Sequence, residues 1–220
     1  MMDIFAYLKN NSYPGRGIIT GTHKGKPVIA YFIMGRSANS RNRVFVKKDD
    51  ILFTRAFDES KVSDPSLIIY NAIRECGDRI IVTNGDQTDT VYEFLKQGKS
   101  FRQALETREY EPDGPNYTPR ISALCNHDGY ELAILKREAE HCKRLHYHYE
   151  RKEDTGHFIS TYDHDGDPLP SFSKEPLAID LSLSFKKFAD RLWRSLNHDN
   201  RVSLYVRFGA REIIYNRNED

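Results

Sequence analysis

Residues 120–135, which read RISALCNHDGYELAIL, decide the fold class of this chain. Two apolar runs, Arg120 to Cys125 and Tyr130 to Leu135, flank a turn that contains Asp128 and Gly129. An Asp-Gly pair between apolar runs is a strong local indicator of a β-hairpin. The stretch therefore predicts two antiparallel strands.

The same strand pattern extends outward from this hairpin in both directions. Because Leu67 to Ile73 and Arg79 to Thr83 are mainly apolar, we expect these two strands to be central in a sheet. The full set of further strands that the residue pattern predicts is Gly17 to Thr22, Pro27 to Met34, Val44 to Val46, Ile51 to Arg55, Leu67 to Ile73, Arg79 to Thr83, Arg144 to Tyr149, His157 to Tyr162 and, as the last strand, Val202 to Phe208.

Helices are predicted between and after the two runs of strands. A short amphipathic segment spans Ile4 to Leu8, and two helices are expected from Asp89 to Lys96, capped by Asp86 or Thr88, and from Ser100 to Thr107. Leu181 to Leu196 follows helical spacing, with Asp180 near its N-terminal end. This grouping indicates an α+β fold rather than alternating βαβ units, and the length of 220 residues favours a single domain, residues 1–220.

Charge and composition exclude several classes of protein. A formal net charge of +1 argues against a dedicated nucleic-acid binder, which needs a basic face. The sequence has no apolar run long enough to span a membrane, and its first residues lack the basic and apolar regions of a secretory signal, so we expect a cytoplasmic protein. The three cysteines, Cys76, Cys125 and Cys142, have no CxxC spacing and are expected to be reduced thiols.

An arginine-rich segment is the first candidate for function. Residues 36–43 read RSANSRNR, and Arg16 lies upstream. Guanidinium groups bind phosphate and carboxylate oxygens in pairs, and small polar side chains leave room for the anion. A solvated charged loop would have the same composition, and that alternative stays open. No P-loop or GxGxxG motif accompanies the segment.

Two further segments place polar residues at the ends of predicted strands. Tyr70 and Asn71 interrupt an apolar run, and residues 83–89, TNGDQTD, follow the next strand. A turn with a helix cap is the alternative explanation for the second motif. Residues 110–121, YEPDGPNYTPRI, are predicted to form a loop stiffened by three prolines, in which Glu111 could transfer a proton beside Arg120. An ordinary surface loop is the alternative interpretation.

Taken together, the motifs resemble the archaeal-type inosine monophosphate (IMP) cyclohydrolase family. The resemblance rests on Tyr13 to Arg16 (YPGR), Arg36 to Arg43, Ile69 to Asn71, Thr83 to Asp89 and Tyr110 to Ile121, and it extends from about Tyr13 to the strand at Val202. Its most specific parts are the last two motifs. Gln87 stands where a histidine is expected, and His157 to Tyr162 fits more loosely.

The resemblance implies a four-layer αββα sandwich like that of N-terminal-nucleophile hydrolases. It also implies an enzyme without metal or other cofactor that closes the ring of 5-formamidoimidazole-4-carboxamide ribonucleotide to give IMP, the last step of purine synthesis. The implied catalytic residues are Tyr70, Glu111 and Arg41. The implied substrate-binding residues are Arg16, Arg36, Ser37, Asn39, Arg43, Asn71, Asn84, Gly85, Asp86, Thr88, Asp113, Asn116, Thr118 and Arg120.

Two alternatives to a cyclohydrolase remain at this stage. A purine-ribonucleotide-binding protein, or a related amide-chemistry enzyme on the same fold, would need the same arginines and asparagines. An N-terminal-nucleophile amide hydrolase is disfavoured because Met1, Met2 and Asp3 offer no Ser, Thr or Cys nucleophile. The expected partner is a small ribonucleotide, with no nucleic acid or membrane, and a homo-oligomer is left open.

Overall fold

Two antiparallel sheets form the framework of the chain. A computed structural model describes residues 1–62 and 69–219. The first sheet has six strands in the order β11-β10-β1-β2-β12-β13. These strands are β1 Arg16–His23, β2 Lys26–Met34, β10 Thr155–Ser160, β11 Leu177–Asp180, β12 Arg201–Phe208 and β13 Arg211–Asn216.

The second sheet has seven strands in sequence order, β3-β4-β5-β6-β7-β8-β9, so each strand pairs with its neighbour along the chain. The strands are β3 Arg43–Lys48, β4 Ile51–Ala56, β5 Asn71–Cys76, β6 Arg79–Thr83, β7 Arg120–Cys125, β8 Gly129–Glu138 and β9 His141–Glu150. The predicted Asp128-Gly129 hairpin is confirmed as β7 and β8, with Cys125 opposite Tyr130. The predicted central position of Arg79 to Thr83 is also confirmed, since β6 is the middle strand.

The sheets pack face to face, and helices cover their outer faces. The helices are α1 Ile4–Lys9, α2 Ala38–Arg41, α3 Gln87–Lys96, α4 Phe101–Glu106 and α5 Phe185–Ser195. Helices α1 and α5 pack on the outer face of the six-stranded sheet, while α3 and α4 pack on the outer face of the seven-stranded sheet. This arrangement confirms the predicted α+β class with two antiparallel sheets.

Strand β2 illustrates how the sequence builds these layers. Ile29, Tyr31 and Ile33 face the core between the sheets, whereas the alternate residues, such as Phe32 and Met34, face the core under α1 and α5. Side chains alternate between the two faces of a strand, so a strand buried on both faces must be apolar throughout. Burial of each large apolar side chain contributes about 1.5–3 kcal/mol.

Several predicted boundaries are wrong, and two strands are absent from the prediction. Helix α5 begins at Phe185 rather than Leu181, because Asp180 ends β11 and pairs with Thr155 of β10. Strand β5 begins at Asn71; residues 67 and 68 of the predicted strand lie outside the described residues. The unpredicted strands are β11 and β13, so β12 is not the last strand. In the described part of the chain, no helix is long and apolar enough to cross a membrane.

Candidate active site

The motifs of the sequence meet at one end of the sandwich because successive strands run in opposite directions. Strands β1, β3, β5 and β7 begin at this end, and β2, β6 and β10 end there. Arg16 is the first residue of β1 and Arg43 the first residue of β3. The loop before β7 brings Glu111 to the same place, where its charge interacts with that of Arg16.

Arg16 is at the centre of this cluster. Its backbone N–H donates to Thr161 Oγ1 at 3.1 Å, and its carbonyl accepts the Thr161 N–H at 2.9 Å, so the residue after β10 holds the backbone of Arg16 in place. Its Nε is buried and has no hydrogen-bond partner. Burial lowers the pKa of Arg16, but neighbouring tyrosines outweigh that effect and raise it, in the order Tyr13, Tyr162, Tyr70 and Tyr31.

Arg43 is a second guanidinium in the same interior. The side chain is 0% exposed, and its Nε donates to the Ser40 carbonyl at 2.8 Å, while Nη1 is buried without a partner. Burial and the nearby charge of Arg16 lower the pKa of Arg43. Within residues 1–62 and 69–219, neither arginine forms an ion pair with a carboxylate. Arg16 and Arg43 thus each keep a buried N–H donor without a partner, an arrangement that is chemically suited to an anion.

Two tyrosines from facing sheets meet beside these arginines. The hydroxyl groups of Tyr31 and Tyr70 lie 2.7 Å apart in the core between the sheets. Tyr70 is held by its backbone N–H, which donates to Thr54 Oγ1 at 3.0 Å. Burial raises the pKa of Tyr31 well above its ordinary value, and the arginines Arg16 and Arg43 act in the opposite direction. Tyr31 therefore supplies a neutral hydroxyl group beside the two arginines.

Glu111 is a mostly buried carboxylate clamped by Arg120. Arg120 Nη1 lies 2.9 Å from Glu111 Oε1, and Arg120 Nη2 donates to Oε2 at 3.0 Å. Burial nevertheless raises the pKa of Glu111, outweighing the opposing charges of Arg120 and Arg16. Gly85 makes room for this pair, because a Cβ there would lie 2.7 Å from Arg120 Nη1 and 2.9 Å from Glu111 Oε1. A carboxyl group with a raised pKa is suited to proton transfer near neutral pH.

The TNGDQTD segment holds this pair in place through its own hydrogen bonds. Gln87 Oε1 accepts from Arg120 Nη1 at 2.6 Å, and Gln87 Nε2 donates to Asn84 Oδ1 at 3.1 Å. Asn84 in turn donates to the Pro119 carbonyl, and Thr88 bonds to Thr83. Asp86 occupies the predicted cap position of α3 but makes no capping hydrogen bond.

The Asp86 carboxylate is instead bound by two arginines. Arg120 Nη1 donates to Oδ1 at 2.6 Å, and Arg108 forms a short ion pair with Oδ2. Burial acts to raise the pKa of Asp86, but the hydrogen bond from Arg108 and the charge of Arg120 outweigh it and lower that pKa. The segment thus connects Glu111 and Arg120 to the start of α3.

Other predicted site residues lie away from this cluster. Asn71 Nδ2 donates to the Asp89 carboxylate of α3 at 3.0 Å, because adjacent residues at the start of β5 point to opposite faces of the sheet. Arg41 bonds to the Gly35 carbonyl at 2.9 Å and to Asn200 at 3.1 Å. Ser37 caps α2 through Ser40, and Asn39 is half-buried in that short helix.

Arg36 and the loop before β7 form the rim. Arg36 is partly exposed, pairs with Asp165 at 2.7 Å and lies 5.1 Å from the centre of the Tyr13 ring. Asn116 Oδ1 accepts the Leu169 N–H at 3.3 Å, which ties the loop to the segment after β10. Asp113 and Thr118 bond to each other rather than projecting free polar groups.

Sequence reasoning missed Tyr31 and Tyr162. Each is buried and lies in or next to an apolar strand, where a tyrosine is indistinguishable from a core aromatic residue. In the sequence, Gln87 is only a departure from the expected motif. The structure shows that it is a hydrogen-bond partner of Arg120. For Tyr162, the loose family resemblance of His157 to Tyr162 was a usable signal.

The described residues offer one other cluster with metal-ligating groups. His23, Glu153 and Asp154 approach one another near the β1–β2 turn, at the opposite end of β1 from Arg16. His23 Nδ1 bonds to Asp154 at 2.7 Å, and Glu153 accepts backbone N–H groups from Lys24 and Gly25. These contacts engage one ring nitrogen of His23, one carboxylate oxygen of Asp154 and both carboxylate oxygens of Glu153.

The fold is an α+β protein with two antiparallel sheets, and the cluster at one end of it is rich in arginine and tyrosine side chains. The sequence profile of the IMP cyclohydrolase-like protein family matches residues 13–212, so the chain belongs to that family. The match covers the whole seven-stranded sheet, all strands of the six-stranded sheet except most of β13, and every element that contributes to the cluster around Arg16.

Curated relatives agree with the family assignment. The chain is 28% identical over 156 residues to the IMP cyclohydrolase of Methanococcus aeolicus, an alignment that covers 69% of this chain and 74% of the relative. It is 30% identical over 154 residues to the IMP cyclohydrolase of Methanocaldococcus jannaschii, covering 68% and 73% respectively. The IMP cyclohydrolase of Haloquadratum walsbyi is 28% identical over 157 residues, covering 70% and 72%.

Proposed function

We propose that this protein is an IMP cyclohydrolase that converts 5-formamidoimidazole-4-carboxamide ribonucleotide into IMP and water. The observation that carries the proposal is the buried cluster in which Glu111, with a raised pKa, interacts electrostatically with Arg16. The relatives bear the name of this activity, and the motifs that carry the family resemblance contribute Arg16, Arg43, Tyr70 and Glu111 to the cluster.

The reaction needs orientation and proton transfer rather than a strong nucleophile. The carboxamide nitrogen attacks the formyl carbon of the same molecule, which forms a C–N bond and turns the formyl oxygen into an oxyanion. The oxygen leaves as water with one proton from the carboxamide nitrogen and one from the formamido nitrogen. Holding the two groups in contact and stabilising the oxyanion are therefore the main tasks of the site.

Glu111 and Tyr70 suit the proton-transfer steps. A carboxylate at Glu111 accepts the proton released by the carboxamide nitrogen, and its raised pKa lets it return that proton to the departing hydroxyl group. The Tyr70 hydroxyl, bonded to Tyr31 at 2.7 Å, is a donor for the developing oxyanion. Arg120 keeps the carboxylate of Glu111 oriented through its two contacts.

Arg16 and Arg43 suit the anionic parts of the substrate. Arg16 is only half-buried and has an unused Nε, whereas Arg43 is fully buried. We assign contact with phosphate or oxyanion to Arg16, with Arg43 adding positive potential and a further donor. Arg41 uses Nε and Nη2 to bond to Gly35 and Asn200, which leaves its Nη1 as the donor for its predicted catalytic role.

The domain organisation, the fold relationship, the location and the partner follow from the same proposal. The family match over residues 13–212 supports a single cyclohydrolase domain, and the order helix, sheet, sheet, helix supports a relationship to N-terminal-nucleophile hydrolases. A ribonucleotide made and used in central metabolism fits a cytoplasmic location. The ribonucleotide is the partner we propose.

The direct test is to incubate purified protein with the formamido ribonucleotide and to follow IMP by chromatography. We expect Glu111→Gln to slow the reaction by about 10²- to 10⁴-fold, which is the usual contribution of a general acid or base. Glu93→Gln is the matched control, because this substitution makes the same chemical change at an exposed position of α3. Tyr70→Phe is expected to slow the reaction while IMP binding persists.

The outcomes separate this proposal from its alternative. IMP formation above the enzyme-free rate, lost in Glu111→Gln and kept in Glu93→Gln, supports a cyclohydrolase with Glu111 in the chemistry. Tight IMP binding by calorimetry without product formation would instead favour a ribonucleotide-binding protein. Equal rates for wild type and Glu111→Gln would remove Glu111 from the mechanism.

A further inference from the structure

A pocket lies at the end of β1 opposite the cluster around Arg16. Arg16 is the first residue of β1 and His23 the last, so extended backbone separates the two residues by about 23 Å. The pocket has a volume of about 270 Å³, and its walls come from the β1–β2 turn, the β12–β13 turn and the start of α5. The pocket is therefore separate from the candidate active site.

The charged side chains that line this pocket are all cations. They belong to Lys24, Lys26 and Arg211, and within the described part of the chain none of them forms an ion pair. The stem of Lys26 lies along the β12–β13 turn, because a Cβ added at Gly209 would be 3.0 Å from Lys26 Cδ. Glu153 accepts the backbone N–H of Lys24 and does not line the pocket. Unpaired cations that converge on a concave surface attract an anion.

His23 adds a directed polar group to the same wall. Its side chain is only 10% exposed, and Nδ1 bonds to Asp154 Oδ1 at 2.7 Å. An ionised carboxylate accepts this hydrogen bond, so Nδ1 carries the proton. Nε2 makes no hydrogen bond within residues 1–62 and 69–219, and the ring lines the pocket.

This Nε2 atom favours a phosphate group over a carboxylate. A phosphate monoester has a second pKa of about 6, so it exists with and without its last proton near neutral pH. A neutral His23 accepts that proton at Nε2, whereas a protonated His23 donates from Nε2 to a phosphate oxygen. The ring therefore bonds a phosphate group in either protonation state.

The remaining wall of the pocket is apolar. Phe208 ends β12, and its ring centre lies 5.7 Å from that of Phe185 in α5 and 5.5 Å from that of His23. Ser184, the N-cap residue of α5, also lines the pocket, and its side chain makes no capping hydrogen bond. Cations beside two phenyl rings suit a molecule that joins an anionic group to an apolar one.

We propose that this pocket is a second binding site, which takes a small organic phosphate. The two lysines, Arg211 and His23 bind the phosphate group, and the rings of Phe185 and Phe208 contact the apolar part of the molecule. Pockets for drug-sized ligands usually have about 300–1,000 Å³, so this one suits a phosphate group with one small ring. The site is independent of the proposed ribonucleotide function, because none of its lining residues belongs to the cluster around Arg16.

An NMR titration with phenyl phosphate tests the site, because this probe carries one phosphate group and one apolar ring. The ring signals of His23, assigned by their loss in His23→Gln, report binding at the pocket itself. His127 is the control histidine, since it is exposed in the β7–β8 turn. At constant pH we expect the His23 signals to shift with a Kd below about 1 mM, while the His127 signals stay unchanged. Inorganic phosphate lacks the ring, so its Kd from the same signals should be about tenfold higher.

The combined substitution of Lys26→Gln and Arg211→Gln removes two of the cations. Both side chains are exposed, so we expect the fold to persist and the Kd for phenyl phosphate to rise at least about tenfold. The matched control combines Lys96→Gln with Arg102→Gln, which removes the same charges from exposed positions of α3 and α4 on the other sheet. Because salt screens distant charges, its Kd should stay within about twofold of wild type.

Two results would overturn the site: His23 signals that do not move with phenyl phosphate, or equal Kd values for the two combined variants. Equal affinity for inorganic phosphate and phenyl phosphate would reject the contact of the ligand with the phenyl rings, and with it an organic ligand. IMP formation is measured separately at the other end of β1, so failure of this inference leaves the proposed function standing, and the reverse also holds.

Discussion

Replacement of Arg43 by methionine tests whether the buried arginine pair serves the ligand rather than the fold. A large buried side chain that loses its contacts usually costs about 2–5 kcal/mol of stability. Arg43 differs because its Nη1 is buried without a partner and because the charge of Arg16 opposes its ionisation. Methionine fills a similar space without a charge.

The magnitude follows from the contacts that Arg43 makes. The bond from Nε to the Ser40 carbonyl at 2.8 Å is the main loss and contributes about 1.5–3 kcal/mol, as a hydrogen bond from a charged group. Removal of the unpartnered donor offsets about 1–3 kcal/mol. We therefore expect the free energy of unfolding of the ligand-free Arg43→Met variant to lie within about 1 kcal/mol of wild type.

Urea unfolding with and without IMP is the assay. At a concentration of 100 times its Kd, a ligand stabilises a protein by about 2.7 kcal/mol, and we expect that gain for wild type but little gain for Arg43→Met at the same concentration. A variant that is destabilised by more than about 3 kcal/mol, yet still stabilised by IMP as wild type is, would refute the reasoning, since Arg43 would then be structural.

Three further predictions concern the same cluster and its framework. The kcat/KM should fall as the pH drops through the pKa of Glu111, which lies above its ordinary value of 4.5, because a protonated carboxyl group cannot accept the substrate proton. A pH–rate profile measures this fall, and the fall should be absent in Glu111→Gln. Gly85→Ala should lower kcat at least tenfold with a stability loss of about 1–3 kcal/mol in urea unfolding, because its Cβ displaces Arg120. Leu192 is a fully buried residue of α5, and Leu192→Ala should cost about 2–5 kcal/mol in the same assay while the Kd for IMP measured by calorimetry stays unchanged.

Local patterns predicted most strands because each signal depends on neighbouring residues. The Asp128-Gly129 turn specified the β7–β8 hairpin, and the apolar run at Arg79 to Thr83 indicated a strand covered on both faces. Strand β11 escaped prediction because it has only four residues, and β13 because it opens with two charged residues; both become strands through pairing with β10 and β12. Leu181 follows helical spacing but packs in the core as the residue after β11.

The sequence by itself determined the fold class, the family resemblance and the residue types of the site, including Arg16, Tyr70 and Glu111. Only the tertiary structure decided which of these meet. Tyr70 faces the core between the sheets, whereas Asn71, its neighbour in sequence, bonds to Asp89 of α3. Alternation separates the two faces of a strand but does not say which face meets the other sheet. Tyr162 joins the cluster because β1 and β10 are neighbours in one sheet, a pairing between segments about 140 residues apart that no local pattern contains.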